Sequence, residues 1–457
     1  MAERILVRGG KVVTPEGVFP ADVLTLGERI FAVGDGLPLN MADEVIDAAG
    51  CFVLPGVIDP HVHIQLDTGI YQTRDDWEVG TKAAACGGVT TVLDFATQFK
   101  GQTLEEALEN RWNEIDGKAV IDYGLHVMVT DLPAGEEDEI ATLSRLGAPT
   151  AKVYTTYRPN YYMDDDQLLR TFKAAAKHDV MVMVHAENDA IVSAATERLI
   201  QAGKTDLRYH GDARPMLAEQ EAAHRVAFLA AEADARVYVV HNSTARTSEI
   251  LAEARGKGAD VIAETCPQYL ILDDSLYRGE HPEWVILQPP LRPKGQGDRL
   301  WELLAQGVVS TVGTDHCDYT LEQKVATMEF PTTPGGIPGL ETSLRLMYTH
   351  GVVAGRISLS RLVEVMSYNP ARIFGLYPRK GTIQPGSDAD IVVYDPEPEE
   401  TITASRLHTI GGYTPYEGMK VKGAIKAVLS RGMPVCVNGE FTGQVGRGRY
   451  VERRIEL

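Results

Sequence analysis

Short, almost wholly apolar runs recur along the middle of the chain, separated by segments whose apolar residues fall at helical spacing. The runs are CFVLPGVIDPHVH (51–63), VTTVLDFA (89–96), YGLHVMV (123–129), TAKVYTTY (150–157), VMVMVHAE (180–187), VYVVHNS (237–243), VIAETCP (261–267) and VVSTVGTDH (308–316). Runs this apolar read as parallel strands covered on both faces. Stretches such as DDQLLRTFKAAAKHD and RTSEILAEARGKG lie between them and put their apolar residues on one side of a helix. Eight such β units alternating with helices predict a (β/α)8 barrel.

The two ends have a different texture. ILVRGGKVV, ADVLTLGERIFAVG and CFVLPG near the start, and GTIQPGSDADIVVYDP and GAIKAVLSRGMPVCVNGEF near the end, are short β-type runs broken by glycine. They predict one small β-sandwich domain built from residues 1–54 and 375–457, with the barrel spanning 55–374.

Composition narrows the function classes. The 457 residues carry a formal net charge of -20, which repels phosphate backbones and anionic lipid and argues against nucleic-acid or membrane partners. The five cysteines show no paired spacing and do not read as a disulfide framework. No apolar run approaches the roughly 20 residues of a membrane span, and no signal-like stretch precedes the first β run, so the expected location is the cytoplasm.

The chemistry lies in the polar residues at the ends of the apolar runs. Run one ends in His61-Val62-His63, run four holds Lys152, run five reaches His185, run six His241 and run eight Asp315. In a barrel these strand ends share one mouth. Residues two apart on a strand point the same way, so His61 and His63 can face one metal ion. A single histidine in such a place is ordinarily a hydrogen-bonded core or rim residue, as His126 in run three is expected to be. Lys152 has two readings. An ammonium beside two divalent cations is repelled, so it either stands off in an ion pair with a carboxylate or is converted by CO2 into a carbamate, an anionic oxygen ligand able to bridge two ions.

GVIDPHVH, the lysine run, VHAEN, VVHNS, ETCPQYL and GTDHC together resemble the amidohydrolase superfamily. More narrowly, AAACGGVTTVLDF, ETCPQYLILDDSLY, PARIFGLYPRKGTIQPGSDADIVVYDP, YTPYEGMKVKGAIKAVLSRG and GRGRYVER are similar to the hydantoinase and dihydropyrimidinase branch of the cyclic amidohydrolases, over essentially the whole chain. The resemblance implies a hydrolase that opens 5-substituted hydantoins or dihydropyrimidines to N-carbamoyl amino acids. It implies that His61 and His63 bind the more buried of two metal ions, that carbamylated Lys152 bridges them, and that His185 and His241 bind the more exposed one. Asp315 then contacts the buried metal and acts as acid and base, and Tyr157 donates its hydroxyl to the developing oxyanion. Zn2+ is the usual ion of the family, with Mn2+ or Co2+ also supporting activity. Two such ions, roughly 3.5–4 Å apart, lower the pKa of a shared water, whose hydroxide attacks the ring carbonyl. The resemblance also implies a homodimer or homotetramer, with the tail FTGQVGRGRYVERRIEL reaching a neighbour.

Two positions depart from the dihydropyrimidinase pattern. Gln288 stands where that branch often has Ser before PPLR, and Gly335 where it often has Asn. In the family these positions hold the cyclic amide largely through backbone groups. GLETSL (339–344) is reminiscent of hydantoinases that take bulky rings. Leu66, Ile70, Tyr71, Phe99, Tyr161 and Tyr162, in loops after runs one, two and four, are expected to form a lid that selects the substituent. Allantoinase or dihydroorotase activity is the competing enzymatic reading. Dihydroorotase needs an arginine for a free carboxylate, and none directly follows the HVH pair, although Arg74 and Arg158 stand on loops. A relative that has lost catalysis and acts in assembly is the non-enzymatic alternative, and the filled set of ligand positions argues against it.

Overall fold

The computed structural model describes residues 3–68 and 71–455. Five strands come first: β1 (Ile5–Thr14), β2 (Gly17–Leu26), β3 (Arg29–Gly34), β4 (Glu44–Asp47) and β5 (Phe52–Pro55). Eight more follow: β6 (Val57–Val62), β7 (Val89–Thr97), β8 (Asp122–Met128), β9 (Thr150–Tyr154), β10 (Met181–His185), β11 (Val237–Val239), β12 (Val261–Thr265) and β13 (Thr311–Val312). The last four are β14 (Ile391–Thr401), β15 (Lys420–Ser430), β16 (Met433–Val437) and β17 (Glu440–Phe441).

Strands β6 to β13 pair in parallel in sequence order. A parallel bridge between Val62 and His316 brings the two ends together into a barrel. Hydrogen bonds from Asp315 N–H to His61 C=O at 2.9 Å and from His63 N–H to His316 C=O at 2.7 Å complete the seam. The strands β6, β8, β9 and β10 are buried along their whole length, which is why they read as unbroken apolar runs rather than as alternating ones. The helices between them start where their sequences supply caps. Thr103 and Glu106 form a reciprocal capping box for Leu104–Ile115, and Asp164 and Gln167 do the same for Asp165–Lys177.

The terminal strands form one nine-stranded sheet, with β5 between β1 and β14 joining the two ends of the chain. Val7, Val23, Ile30, Val53, Ile391 and Leu429 share one core although they lie on strands across the sheet, so the sheet wraps its own apolar face. The sandwich-like unit expected from both termini is therefore hydrogen-bonded as a single continuous sheet. The first apolar run divides at Gly56: Phe52–Pro55 belongs to the terminal sheet and Val57–Val62 to the barrel. A Cβ at Gly56 would come within 2.1 Å of the Thr90 hydroxyl, so the chain passes between sheets only with glycine there.

The C-terminal tail folds back on its own barrel. Tyr450 bridges to Tyr123, the Arg453 guanidinium is buried against Leu125 C=O and Thr150 Oγ1, and Val451 N–H donates to Tyr123 C=O. Tail residues 450–453 thus pack against the N-terminal end of the barrel strands. No described helix is long and apolar enough to cross a membrane.

Candidate metal centre

His61, His63, Lys152, His185, His241 and Asp315 all line one cavity of about 580 Å3 at the C-terminal ends of the barrel strands. Asp315 Oδ1 lies 3.2 Å from His61 Nε2 and 3.3 Å from His63 Nε2. The four imidazoles form a contiguous arc: ring centroids are 5.2 Å apart for His61 and His63, 5.5 Å for His61 and His241, and 4.6 Å for His185 and His241. His241, Asp315 and Tyr157 adopt positive φ values of 40°, 52° and 73°. Non-glycine residues at such angles carry strain that the surrounding structure must hold, and here it turns each chain end into the mouth.

Two buried carboxylates orient the rings. The Nδ1–H of His61 donates to Glu264 Oε1 at 2.8 Å, which also accepts the His241 N–H at 2.9 Å, while the Tyr238 hydroxyl donates to Oε2 at 2.7 Å. That arrangement leaves the Nε2 lone pair of His61 facing Asp315. The Nε2–H of His185 donates to Glu187 Oε2 at 2.7 Å, and Arg214 clamps the same carboxylate at 2.5 Å. His61 Nε2, His63 Nδ1 and His241 Nδ1 are buried without a hydrogen-bond partner. Burial lowers the pKa of His61, His185 and His241 and holds these rings neutral. Burial opposes ionisation of Asp315 as well, but facing His61, His63 and Lys152 it keeps a pKa below the ordinary carboxylate value.

Lys152 is buried, its pKa pushed down to about 8 by desolvation. Its ammonium lies over the rings of Phe95 and Tyr154, 5.2 and 5.4 Å from their centroids. The carboxylate ion pair that was one expectation for this lysine is not formed among the described residues. His126 meets the structural expectation: its nitrogens pair with Thr150 Oγ1 at 2.6 Å and Pro60 C=O at 3.0 Å.

Tyr157 lines the same cavity, its ring 5.0 Å from that of His185, and burial raises its pKa so the hydroxyl stays protonated. Tyr154, also on the cavity wall, instead donates its hydroxyl to Met128 Sδ. Gln288, Gly335, Leu66, Tyr71 and Tyr161 also line the cavity, whereas Phe99 is 52 % exposed and stands apart from it, as does Tyr162. Ile70 lies outside the described residues. Arg158 reaches the cavity edge, but its guanidinium is paired with Asp189 at 3.0 Å and stacked on Tyr162 at 3.8 Å, and Arg74 is not part of the wall.

Gln288 and Gly335 depend on each other. A Cβ at 335 would come within 1.8 Å of Gln288 Oε1. Gly335→Ala is therefore expected to fold but to push the Gln288 amide aside. The expected kinetic result is a KM raised about tenfold with kcat little changed, the value of one substrate hydrogen bond.

Behind them, Lys324 donates from Nζ to Ile286 C=O and to Pro334 C=O, both at 2.9 Å, tying the two segments that carry Gln288 and Gly335. It is fully buried, and desolvation pushes its pKa down from 10.5 to about 7. Below pH ~7 the folded chain bears the whole penalty of a buried ammonium; between pH ~7 and ~10 the folded chain has shed the proton while the unfolded chain still holds it, so the penalty fades. Urea unfolding of the wild type and Lys324→Met across that range is expected to show the wild type gaining relative stability by up to about 1.4 kcal/mol per pH unit.

Glu187, Glu264, Arg214 and Lys324 did not emerge from the sequence as site residues. Glu187 and Glu264 had a visible signal, since Glu264 is an acid inside an otherwise apolar run and Glu187 closes one. Arg214 and Lys324 arrive from loops and helices outside the runs and left none.

The sequence profile of the amidohydrolase family matches residues 52–435. The D-hydantoinase of Geobacillus stearothermophilus is 40% identical over 453 residues, covering 98% of this chain and 96% of the relative. The D-phenylhydantoinase of Escherichia coli O1:K1 is 39% identical over 455 residues, covering 99% and 98%. Among solved structures, the dihydropyrimidinase from Brevibacillus agri superposes with a TM-score of 0.96 at 41% identity, covering 99% of each chain.

Proposed function

The chain belongs to the amidohydrolase family, and from that premise we propose that it opens cyclic amide rings, 5-substituted hydantoins first and dihydropyrimidines second, to N-carbamoyl amino acids. One observation carries the reading: six side chains from five strand ends meet at one barrel mouth beside a wall of Leu66, Tyr71 and Tyr161. The wall suits an aryl or alkyl substituent on the ring, in keeping with relatives named for hydantoin and phenylhydantoin.

The donor set fits divalent cations. Three buried imidazole nitrogens lack partners, the rings of His61 and His241 are held neutral by burial, and ligand atoms of His61, His63 and Asp315 all lie within 4.8 Å of one another. His61, His63 and Asp315 would hold one ion and His185 and His241 a second, with Lys152, carbamylated, as a ligand shared by both; Zn2+ is the first choice, with Mn2+ and Co2+ as alternatives. Bound there, the ions supply Lewis-acid polarisation of the carbonyl and a water acidic enough to attack near neutral pH. The chain's own groups do the rest. Asp315 accepts the proton of the attacking water and returns it to the ring nitrogen, which leaves poorly unless protonated. Tyr157, kept protonated by burial, donates to the oxygen that gains charge. Gln288 and the backbone at Gly335 hold the amide edge. Arg158 is already engaged by Asp189 and Tyr162 and is not free to receive the carboxylate of dihydroorotate.

We place the enzyme in the cytoplasm, in keeping with five free, buried cysteines. We propose a homodimer or homotetramer on the strength of exposed apolar side chains such as Phe19, Phe31, Leu217 and Phe228, to be checked by light scattering.

A panel of hydantoin, both enantiomers of an aryl hydantoin, dihydrouracil, allantoin and dihydroorotate, given to metal-loaded protein, tests the reading. Aryl hydantoin is expected to be the best substrate and dihydroorotate to be left unchanged. Preferred turnover of allantoin or dihydroorotate overturns it. Within that panel, Leu66→Ala is expected to shift the enantiomer ratio, because Leu66 lines the cavity, and Phe99→Ala to leave it as in the wild type.

A further inference from the structure

Arg214 sits in the link between two helices, His210–Ala213 and Met216–Ala233, outside every barrel strand. Its side chain is only 11 % exposed, and it stands behind the metal-ligand mouth rather than in the cavity wall. Two groups at the mouth meet it there. Arg214 Nε donates to both Glu187 oxygens, at 3.1 and 3.2 Å, and Nη2 donates to Oε2 at 2.5 Å. That same Oε2 accepts the Nε2–H of His185. The guanidinium carbon also lies 5.1 Å from the centroid of the Tyr157 ring, which in turn lies 5.0 Å from the His185 ring. Arg214 is itself fixed from behind. Arg292 donates from Nη1 to the Arg214 C=O at 2.6 Å, from Nε to Ser243 Oγ at 2.8 Å and from Nη2 to Glu219 Oε2 at 3.1 Å. Glu219 Oε1 accepts the backbone N–H groups of Ser243 and Thr244, just past His241. The ends of β9, β10 and β11 are thus tied to one pair of arginines.

We propose that Arg214 is a positioning residue for the ring opening: by gripping Glu187 and lying over Tyr157 at once, it holds the Tyr157 hydroxyl in register with the His185 imidazole, so that binding of the second ion and placement of the oxyanion donor are linked. This rests on the reading of His185 as a metal ligand and Tyr157 as that donor. Tyr157 needs such support, because its φ of 73° is one the backbone does not favour unaided. Its strand end is tied to the same carboxylate segment, since Thr155 Oγ1 donates to Glu187 C=O at 2.8 Å. The Glu187 side chain is fully buried. Without Arg214 it would be a buried charge stripped of its partner, free to draw away from His185. A planar, forked guanidinium makes the grip and the ring contact together, whereas the ammonium of a lysine supplies the charge without the fork. Arg214 reaches the reaction only through Glu187 and Tyr157, which sets it apart from the groups that line the cavity.

A double-mutant cycle of Arg214→Met with Tyr157→Phe, on full chain saturated with Zn2+ and shown to be folded by circular dichroism, tests the proposal together with a Zn2+ titration against a competing chelator. Arg214→Met is expected to lower kcat for an aryl hydantoin by about 10–100-fold with KM little changed. Beside Tyr157→Phe the same substitution is expected to cost less than about threefold, because the donor it positions is already gone. In the titration, which needs no turnover, Arg214→Met is expected to bind the first equivalent of Zn2+ as the wild type does and the second about 10–100-fold more weakly. Should the methionine variant not fold, Arg214→Lys carries the same cycle, with a loss of about 3–10-fold expected alone and less than about twofold beside Tyr157→Phe. Equal losses in both backgrounds, or a second ion held as tightly as in the wild type, overturn the proposal. Wild-type kcat in Tyr157→Phe alone overturns the reading of Tyr157 as the donor, and the role of Arg214 with it.

Discussion

Lys152→Ala is expected to remove more than about 10³-fold of kcat/KM for an aryl hydantoin, ~4 kcal/mol at 1.36 kcal/mol per decade. The lysine sits on β9 and lines the same cavity as the four histidines, buried, with its ammonium over two aromatic rings rather than against a carboxylate. Burial pushes its pKa down to about 8, so a useful fraction is neutral amine, the form that adds CO2. Alanine leaves no atom to span from the His61 side of the mouth to the His185 side, and metal content is expected to fall along with activity. A short carboxylate such as acetate carries the pair of oxygens that the proposed carbamate would offer. It is therefore expected to restore part of the activity of Lys152→Ala while leaving the wild type unaffected. Activity near wild type in Lys152→Ala would return the lysine to a structural role.

Asp315→Asn is expected to lower kcat by about 10²–10⁴-fold, the usual worth of a positioned acid–base group, with most of the metal retained. The substitution keeps the shape and an oxygen 3.2–3.3 Å from His61 and His63. It removes the ability to take up a proton and hand it on. The carboxylate is kept ionised by the rings and the lysine it faces, so near neutral pH it is in the accepting form. Circular dichroism and metal analysis separate this outcome from misfolding: the variant is to be folded, loaded and slow. A loaded variant with wild-type kcat would move the proton-transfer role to another group.

The barrel was legible because its strands are buried on both faces and therefore print as continuous apolar runs. The eight runs correspond to β6–β13 in order, and the polar residues at their ends are those that reach the mouth. The turn at Gly56 was not legible. CFVLPGVIDPHVH reads as one run, and only the close approach to Thr90 shows why it divides between two sheets. The cavity wall was legible in part. Leu66, Tyr71 and Tyr161 face the cavity, whereas Phe99, as apolar as they are, turns to solvent, because loop direction is set by turns and not by hydrophobicity. The supporting carboxylates were half legible. Glu187 closes an apolar run and Glu264 breaks one, but their partnerships with His185 and His61 span two and 203 positions, and only the shorter can be read along a chain. Arg453, at the opposite end of the barrel, looked like part of a basic tail. It is a buried cap, because its donors find Leu125 C=O and Thr150 Oγ1.

Titrating chelator-treated protein with Zn2+ or Mn2+, while following the ring opening of an aryl hydantoin, bears most directly on the assignment of these side chains to a two-ion centre. Activity is predicted to start near zero and to saturate at about two equivalents per chain. Full turnover in the chelated protein, or none at any metal concentration, would contradict it.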